Sequence, residues 1–144
     1  GYSFVRRPIG WPARMQFIEG ETNLLLEAAH NPSGMERAIP EIAAVLPEKW
    51  SLLLGTSPQQ DMARFLAPLY ALVSTHPPVE IITTEPQDGR YPGVREPIDG
   101  ITHIENPVTA IQSFKQPTEL ILVTGSLYLC GNILSHLGLD VDIV

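Results

Sequence analysis

The sequence has a single cysteine, Cys130, in 144 residues. One thiol builds neither an intramolecular disulfide framework nor a cysteine-based zinc cluster. Positive charge is scarce as well: nine Lys and Arg stand against sixteen Asp and Glu, a formal net charge of −7. Nucleic-acid binding and polybasic membrane anchoring both need a cationic footprint, so the composition argues against both. No apolar stretch approaches the roughly 20 residues that cross a bilayer, and the opening Gly1-Tyr2-Ser3-Phe4 carries no signal-peptide pattern. Neither GxxxxGK[ST] nor GxGxxG occurs. The chain alone therefore does not cradle a triphosphate in the usual way and offers only part of such a site.

What is present suits one compact domain. Apolar residues make up 44% and charged residues 17%, enough to bury a real core. The expectation is a soluble, cytoplasmic globular unit. With no initiating Met, it is read as a piece of a longer protein cut at a domain boundary. Fourteen prolines, about twice the usual share of ~5%, are densest between Pro77 and Pro107.

The spacing of apolar residues predicts strands alternating with helices. Ala13 to Glu19 alternates as an edge strand does, and Asn23 to Ala29 carries the buried-type run Leu24-Leu25-Leu26. Gly20-Glu21-Thr22 between them predicts an antiparallel hairpin. Asn31-Pro32 is a helix start, Asn as cap and Pro at the first position. Met35, Ile39, Ile42 and Leu46 then mark one helical face, which Pro40 should kink or divide. Trp50 to Gly55 reads as a third strand. Ser57-Pro58-Gln59-Gln60 reads as a second helix start, followed by the stripe Met62, Phe65, Leu66, Leu69 and Val73 with a bend at Pro68. Val79 to Thr83 is a fourth strand, and residues 85–107 are read as a long loop interrupted by proline and glycine. A short helix over Val108 to Phe114 and a strand over Glu119 to Thr124 follow. Ser126 caps a last helix with Leu127, Cys130, Leu134 and Leu137 on one face, ended by Gly138. The fold class is α/β: a Rossmann-like, mostly parallel sheet with helices on both faces and an N-terminal antiparallel edge hairpin.

In such a sheet the strand-to-helix junctions gather on the edge where ligands bind. Three of them carry small polar residues: Glu27-Ala28-Ala29-His30-Asn31-Pro32, Leu54-Gly55-Thr56-Ser57-Pro58 and Val123-Thr124-Gly125-Ser126. Unpaired amides and positive dipole ends there favour phosphate or carboxylate. His30 either holds a turn or donates to such an anion. Glu27, a carboxylate in a strand of Leu and Ala, needs a partner unless it lies on the solvent rim. Arg14 either reaches a phosphate or is an ordinary surface arginine. Ser126 and Asn31 are helix caps by position, and Cys130 is an apolar core residue. His76, His103 and His136 show no metal-ligand spacing, and a helix C-terminus accounts for His136.

Three segments together resemble one family. Trp11-Pro12-Ala13-Arg14-Met15 resembles a WPGR segment, Leu26-Glu27-Ala28-Ala29-His30-Asn31-Pro32 a DGAHNP motif, and Thr124-Gly125-Ser126-Leu127-Tyr128 a GSLY motif. In that order and spacing they are similar to the C-terminal domain of folylpolyglutamate synthase/dihydrofolate synthase, of the Mur ligase superfamily. The resemblance implies that residues 1–144 are a glutamate ligase domain lacking the P-loop ATPase domain and inactive alone. The full enzyme would use ATP to join L-glutamate to folate or dihydropteroate through an acyl phosphate, with ATP and Mg2+ held mainly by the missing domain. It implies that Arg14 and Glu27 contact ATP, that His30 and Ser126 hold glutamate, and that Asn31 supports them as a cap. No catalytic nucleophile and no metal ligand is implied on this chain, and a monomer is expected. The sequence departs from the motifs at Glu27 (Asp in the family), Ala28 (often Gly) and Ala13 (the Gly of WPGR). Backbone angles tolerated by L-residues are expected at both alanines. The segment Asp88-Gly89-Arg90-Tyr91-Pro92-Gly93 is unlike the family's. A peptidoglycan Mur ligase domain and a non-catalytic Rossmann-like binding domain are the alternative readings.

Overall fold

The computed structural model describes residues 13–94 and 98–139; Gly1 to Phe4, Trp11 and Pro12, named above, and residues 95–97 of the expected loop lie outside them. In chain order the elements are β1 (Gln16–Ile18), β2 (Asn23–Glu27), α1 (Pro32–Val45), β3 (Trp50–Gly55), α2 (Met62–Thr75), β4 (Glu80–Thr84), β5 (Thr102–His103), α3 (Pro107–Ile111), β6 (Leu120–Thr124) and α4 (Leu127–His136). The strands form one sheet in the order β1-β2-β6-β3-β4-β5. Among the described residues only β1 is antiparallel, paired with β2; the other four strand pairings are parallel.

Alternation along the central strands divides the core into two layers. Leu24, Leu26, Leu53, Ile121 and Val123 point to one face and pack with Ala110, Leu129, Cys130 and Ile133 of α3 and α4. Leu25, Leu52, Leu54, Leu120 and Leu122 point to the other, against Met35, Ala38, Ile42, Phe65 and Leu69 of α1 and α2. Strands covered on both faces need apolar residues at every position, which is why Leu runs rather than alternating patterns mark β2, β3 and β6. The fold class read from the sequence is the one observed.

Several boundaries differ. The first strand begins only at Gln16, because Ala13 and Met15 both have positive φ, 63° and 48°; Ala13 thus departs from the backbone angles expected for it. The second helix does not start at Ser57. Asp61 caps it, its carboxylate accepting from the Arg64 amide at 3.0 Å, and Ser57 to Gln60 instead form an extended connection that serves the sheet edge. Neither Pro40 nor Pro68 divides its helix. Residues 85–107 are not all loop: β5 adds a sixth strand beside β4, and α3 begins at Pro107 under an Asn106 cap.

Candidate functional site

The junctions after β2, β3 and β6 meet around one cavity of about 490 Å³. Arg14, Glu27, His30, Asn31 and Ser126 all line it, so the residues singled out from separate segments do converge. Three local devices hold them there. Thr124 Oγ1 donates to the Glu27 carbonyl at 2.6 Å, tying the ends of β6 and β2. Ser57 and Ser126 share a hydroxyl–hydroxyl bond of 2.8 Å, joining the β3 and β6 junctions. Gln59 Nε2 donates to the His30 carbonyl at 2.8 Å, fastening the β3 junction to the β2 junction. Gly125 makes the convergence possible: its φ is +112°, and a Cβ there would collide with the Gly55 carbonyl.

The caps behave as their sequence positions imply. Asn31 Oδ1 accepts from the Gly34 amide at 2.7 Å, and Ser126 Oγ accepts from the amides of Tyr128 and Leu129. The first turns of α1 and α4 therefore face the cavity with their dipoles' positive ends.

Glu27 is the cavity's only lining carboxylate among the described residues. It is 1% exposed, and the Met15 and Ala29 amides approach its oxygens without ordinary hydrogen-bond geometry. Arg14 Nε lies 3.5 Å from Oε1, with the Arg14 side chain 30% exposed. Burial pushes the Glu27 carboxyl above its ordinary range; Arg14 and the backbone amides of Met15 and Ala29 pull it down without prevailing. Arg14 is held by its own segment, between two left-handed residues and with the Ala13 carbonyl accepting from the Ala28 amide at 2.7 Å. His30 is exposed, its Nδ1 3.3 Å from the Ala28 carbonyl, which leaves the other ring nitrogen free to meet a ligand.

Sequence reasoning missed the lining residues Arg37, Gln59, Arg90 and Tyr91, and took in Ser57 and Tyr128 only as parts of a junction and a motif. Arg37 lies on the solvent side of an amphipathic helix, where periodicity carries no functional signal. Arg90 and Tyr91 belong to the proline- and glycine-rich stretch whose course no period predicts. Among the described residues the cavity therefore holds three arginines, Arg14, Arg37 and Arg90, in a chain of net charge −7.

The remaining candidates are structural. Burial pushes the Cys130 thiol far up, so it is not a nucleophile. His76 packs edge-on against Trp50 and accepts that indole's N–H at its carbonyl. His103 bridges Thr83 Oγ1 and Glu85 Oε2, both at 2.8 Å, and His136 lies 3.4 Å from Gln112. Among the described residues no group of three His, Cys, Asp or Glu is placed to hold a metal ion, and no helix is long and apolar enough to cross a membrane.

No family model matches the sequence, and no curated protein matches it either. Solved structures do match in fold. The bifunctional folylpolyglutamate synthase/dihydrofolate synthase of Yersinia pestis, complexed with AMPPNP and Mn ion, aligns with a TM-score of 0.70 at 22% identity, over 90% of this chain and 32% of its own. The folylpolyglutamate synthase of Mycobacterium tuberculosis, complexed with ADP and AMPPCP, aligns at 0.69 and 19% identity over 92% and 34%. That of Thermotoga maritima aligns at 0.69 and 22% identity over 91% and 31%. The chain thus spans about a third of the length of these structures, and over that third it has the fold of the folylpolyglutamate synthases, the family its motifs resemble.

Proposed function

We propose that this chain is the C-terminal, glutamate-ligase domain of an ATP-dependent enzyme that adds L-glutamate to folate or dihydropteroate through an acyl phosphate. The observation that carries the reading is the meeting of Arg14, Glu27, His30 and Ser126, distant in sequence, around one cavity. The fold shared with folylpolyglutamate synthases, solved with ATP analogues and in one case with L-glutamate, supports it.

The residues present suit anions. Arg14 is the phosphate contact, a charged donor already oriented by its backbone and by Glu27. Glu27, its oxygens buried, serves the nucleotide site by holding Arg14. His30 and Ser126 hold the incoming glutamate, His30 by a ring N–H and Ser126 at the α4 N-terminus. The same residues do not suit Mg2+. The cavity's one carboxylate among the described residues is buried and turned to Arg14, so the ion belongs with the P-loop domain that the resemblance implies. When bound there, it neutralises charge on the nucleotide phosphates. This chain's part in catalysis is positioning and charge stabilisation, with no nucleophile of its own.

The test is glutamate-dependent ADP release by the full-length protein. Release with a folate or dihydropteroate acceptor is the expected result. Release with UDP-muramoyl peptides instead would transfer the chain to the peptidoglycan ligases. No release with either would leave a binding domain whose edge residues are caps.

A further inference from the structure

The loop after β4 is the wall of the cavity that the resemblance does not cover, and it is a built wall. The Gln87 amide donates to Asn132 Oδ1 and the Asn132 side-chain amide donates back to the Gln87 carbonyl, both at 2.9 Å. Its start is pinned by Glu85, whose amide reaches the Glu105 carbonyl and whose carboxylate meets His103. Its end is pinned by the Val94 amide on the Thr56 carbonyl at 2.8 Å. In between, Gly89 lies so close to the Tyr128 ring that a Cβ would come within 2.7 Å of it. Binding residues are commonly carried on loops that a rigid scaffold positions in this way.

What this strap presents is Arg90. The side chain lines the cavity, its guanidinium 5.7 Å from the centroid of the Tyr91 ring, a contact that limits its freedom without consuming its five donors. No carboxylate of the described residues lies within ion-pair distance of it. The cavity's volume of about 490 Å³ falls in the range of roughly 300–1,000 Å³ that takes ligands larger than one small anion. A guanidinium that lines the cavity and has no carboxylate partner among the described residues calls for a second negative group on the ligand.

We propose that Arg90 is a specificity-determining residue, the contact for a second carboxylate, so that the cavity selects a dicarboxylic amino acid over its neutral amide. This rests on the ligase reading for the identity of the reaction, but the charge selection it describes is separate from it.

The kinetic test compares glutamate with glutamine in ADP release by the full-length protein. Arg90→Gln raises the KM for glutamate at least tenfold, leaves kcat and the KM for ATP within twofold, and removes most of the preference for glutamate; Arg90→Lys recovers part of it. A glutamate KM unchanged in Arg90→Gln, or a loss confined to kcat, overturns the proposal. So does loss of the preference in Arg37→Gln but not in Arg90→Gln. A second arm stands without turnover: calorimetric titration with glutarate and butyrate. The parent protein binds the dicarboxylate about tenfold more tightly, and Arg90→Gln makes the two equal; equal binding by the parent overturns the proposal. A parent without ADP release but with this discrimination refutes the ligase reading alone.

Discussion

Glu27 combines three features that ordinarily exclude one another: burial, no hydrogen bond of ordinary geometry to either oxygen, and a place in a cavity wall. Burial raises its pKa from the ordinary 4.5, so the folded chain holds this proton to higher pH than the unfolded one. The stability linked to it is present below the ordinary carboxylate range and is lost as pH rises through the folded-state value. Glu27→Gln, which does not ionise, should therefore raise the melting temperature at neutral pH, and the gain should fade as pH falls below 4.5. Thermal melts of both proteins across that range check the sign. A gain that grows on acidification would contradict it. Losing the partner of Arg14 costs little by comparison, since that arginine is partly solvated.

The same scale separates two alanines that look equivalent in sequence. Ala13 has φ of 63° and Ala28 does not have a positive φ, while both are buried. An L-residue in the left-handed region costs roughly 1–2 kcal/mol. Removing a buried methyl loses about 0.8 kcal/mol, and glycine adds about 0.5–1 kcal/mol of chain entropy. Ala13→Gly should consequently fall within about 0.8 kcal/mol of the parent in urea unfolding, whereas Ala28→Gly should cost about 1.3–1.8 kcal/mol. Equal losses would mean that the strain beside Arg14 is not there.

At the level of elements, the glycines of the last strand–helix unit make opposite forecasts. Gly125 is needed where β6 passes Gly55, so Gly125→Ala should cost at least about 2 kcal/mol through its positive φ and the carbonyl it would strike. Gly131 lies in α4 with nothing near a would-be Cβ; Gly131→Ala should gain about 0.8–1 kcal/mol. Denaturant midpoints for the pair test both. Elements were legible in the sequence where their signals are local: the Asn31 and Ser126 caps, and the Leu runs of β2, β3 and β6. Ser57-Pro58 misled because a cap and a strap share the same residue chemistry. Its hydroxyl is needed by Ser126 and its neighbour Gln59 by His30, partners distant in sequence, so the helix waits for Asp61. Strand β5 escaped because two residues, Thr102 and His103, carry no period and pair only once β4 is in place. Arg14, Glu27, His30 and Ser126 were legible through motif resemblance, but Arg37, Arg90 and Tyr91 were not. Those three reach the cavity through helix geometry and a loop course that only tertiary contacts fix.

Over the whole molecule, charge is distributed against its own sum. The chain is acidic, yet among the described residues its cavity gathers Arg14, Arg37, Arg90 and His30 around a single carboxylate, with two helix N-termini facing the same space. Such a field concentrates anions locally while the rest of the surface repels them. On the proposed reading a nucleotide and an acidic amino acid need two anion seats, for which Arg14 near β1 and His30 and Ser126 at the starts of α1 and α4 are the candidates.

The most direct test is a pair of Michaelis constants, one for ATP and one for glutamate, measured by ADP release in full-length Arg14→Ala and His30→Ala. The account predicts a crossed pattern: Arg14→Ala raises the constant for ATP at least tenfold and leaves that for glutamate within about twofold, and His30→Ala does the reverse. Both constants unchanged in both variants, at parental turnover, would contradict the assignment of this cavity to the reaction.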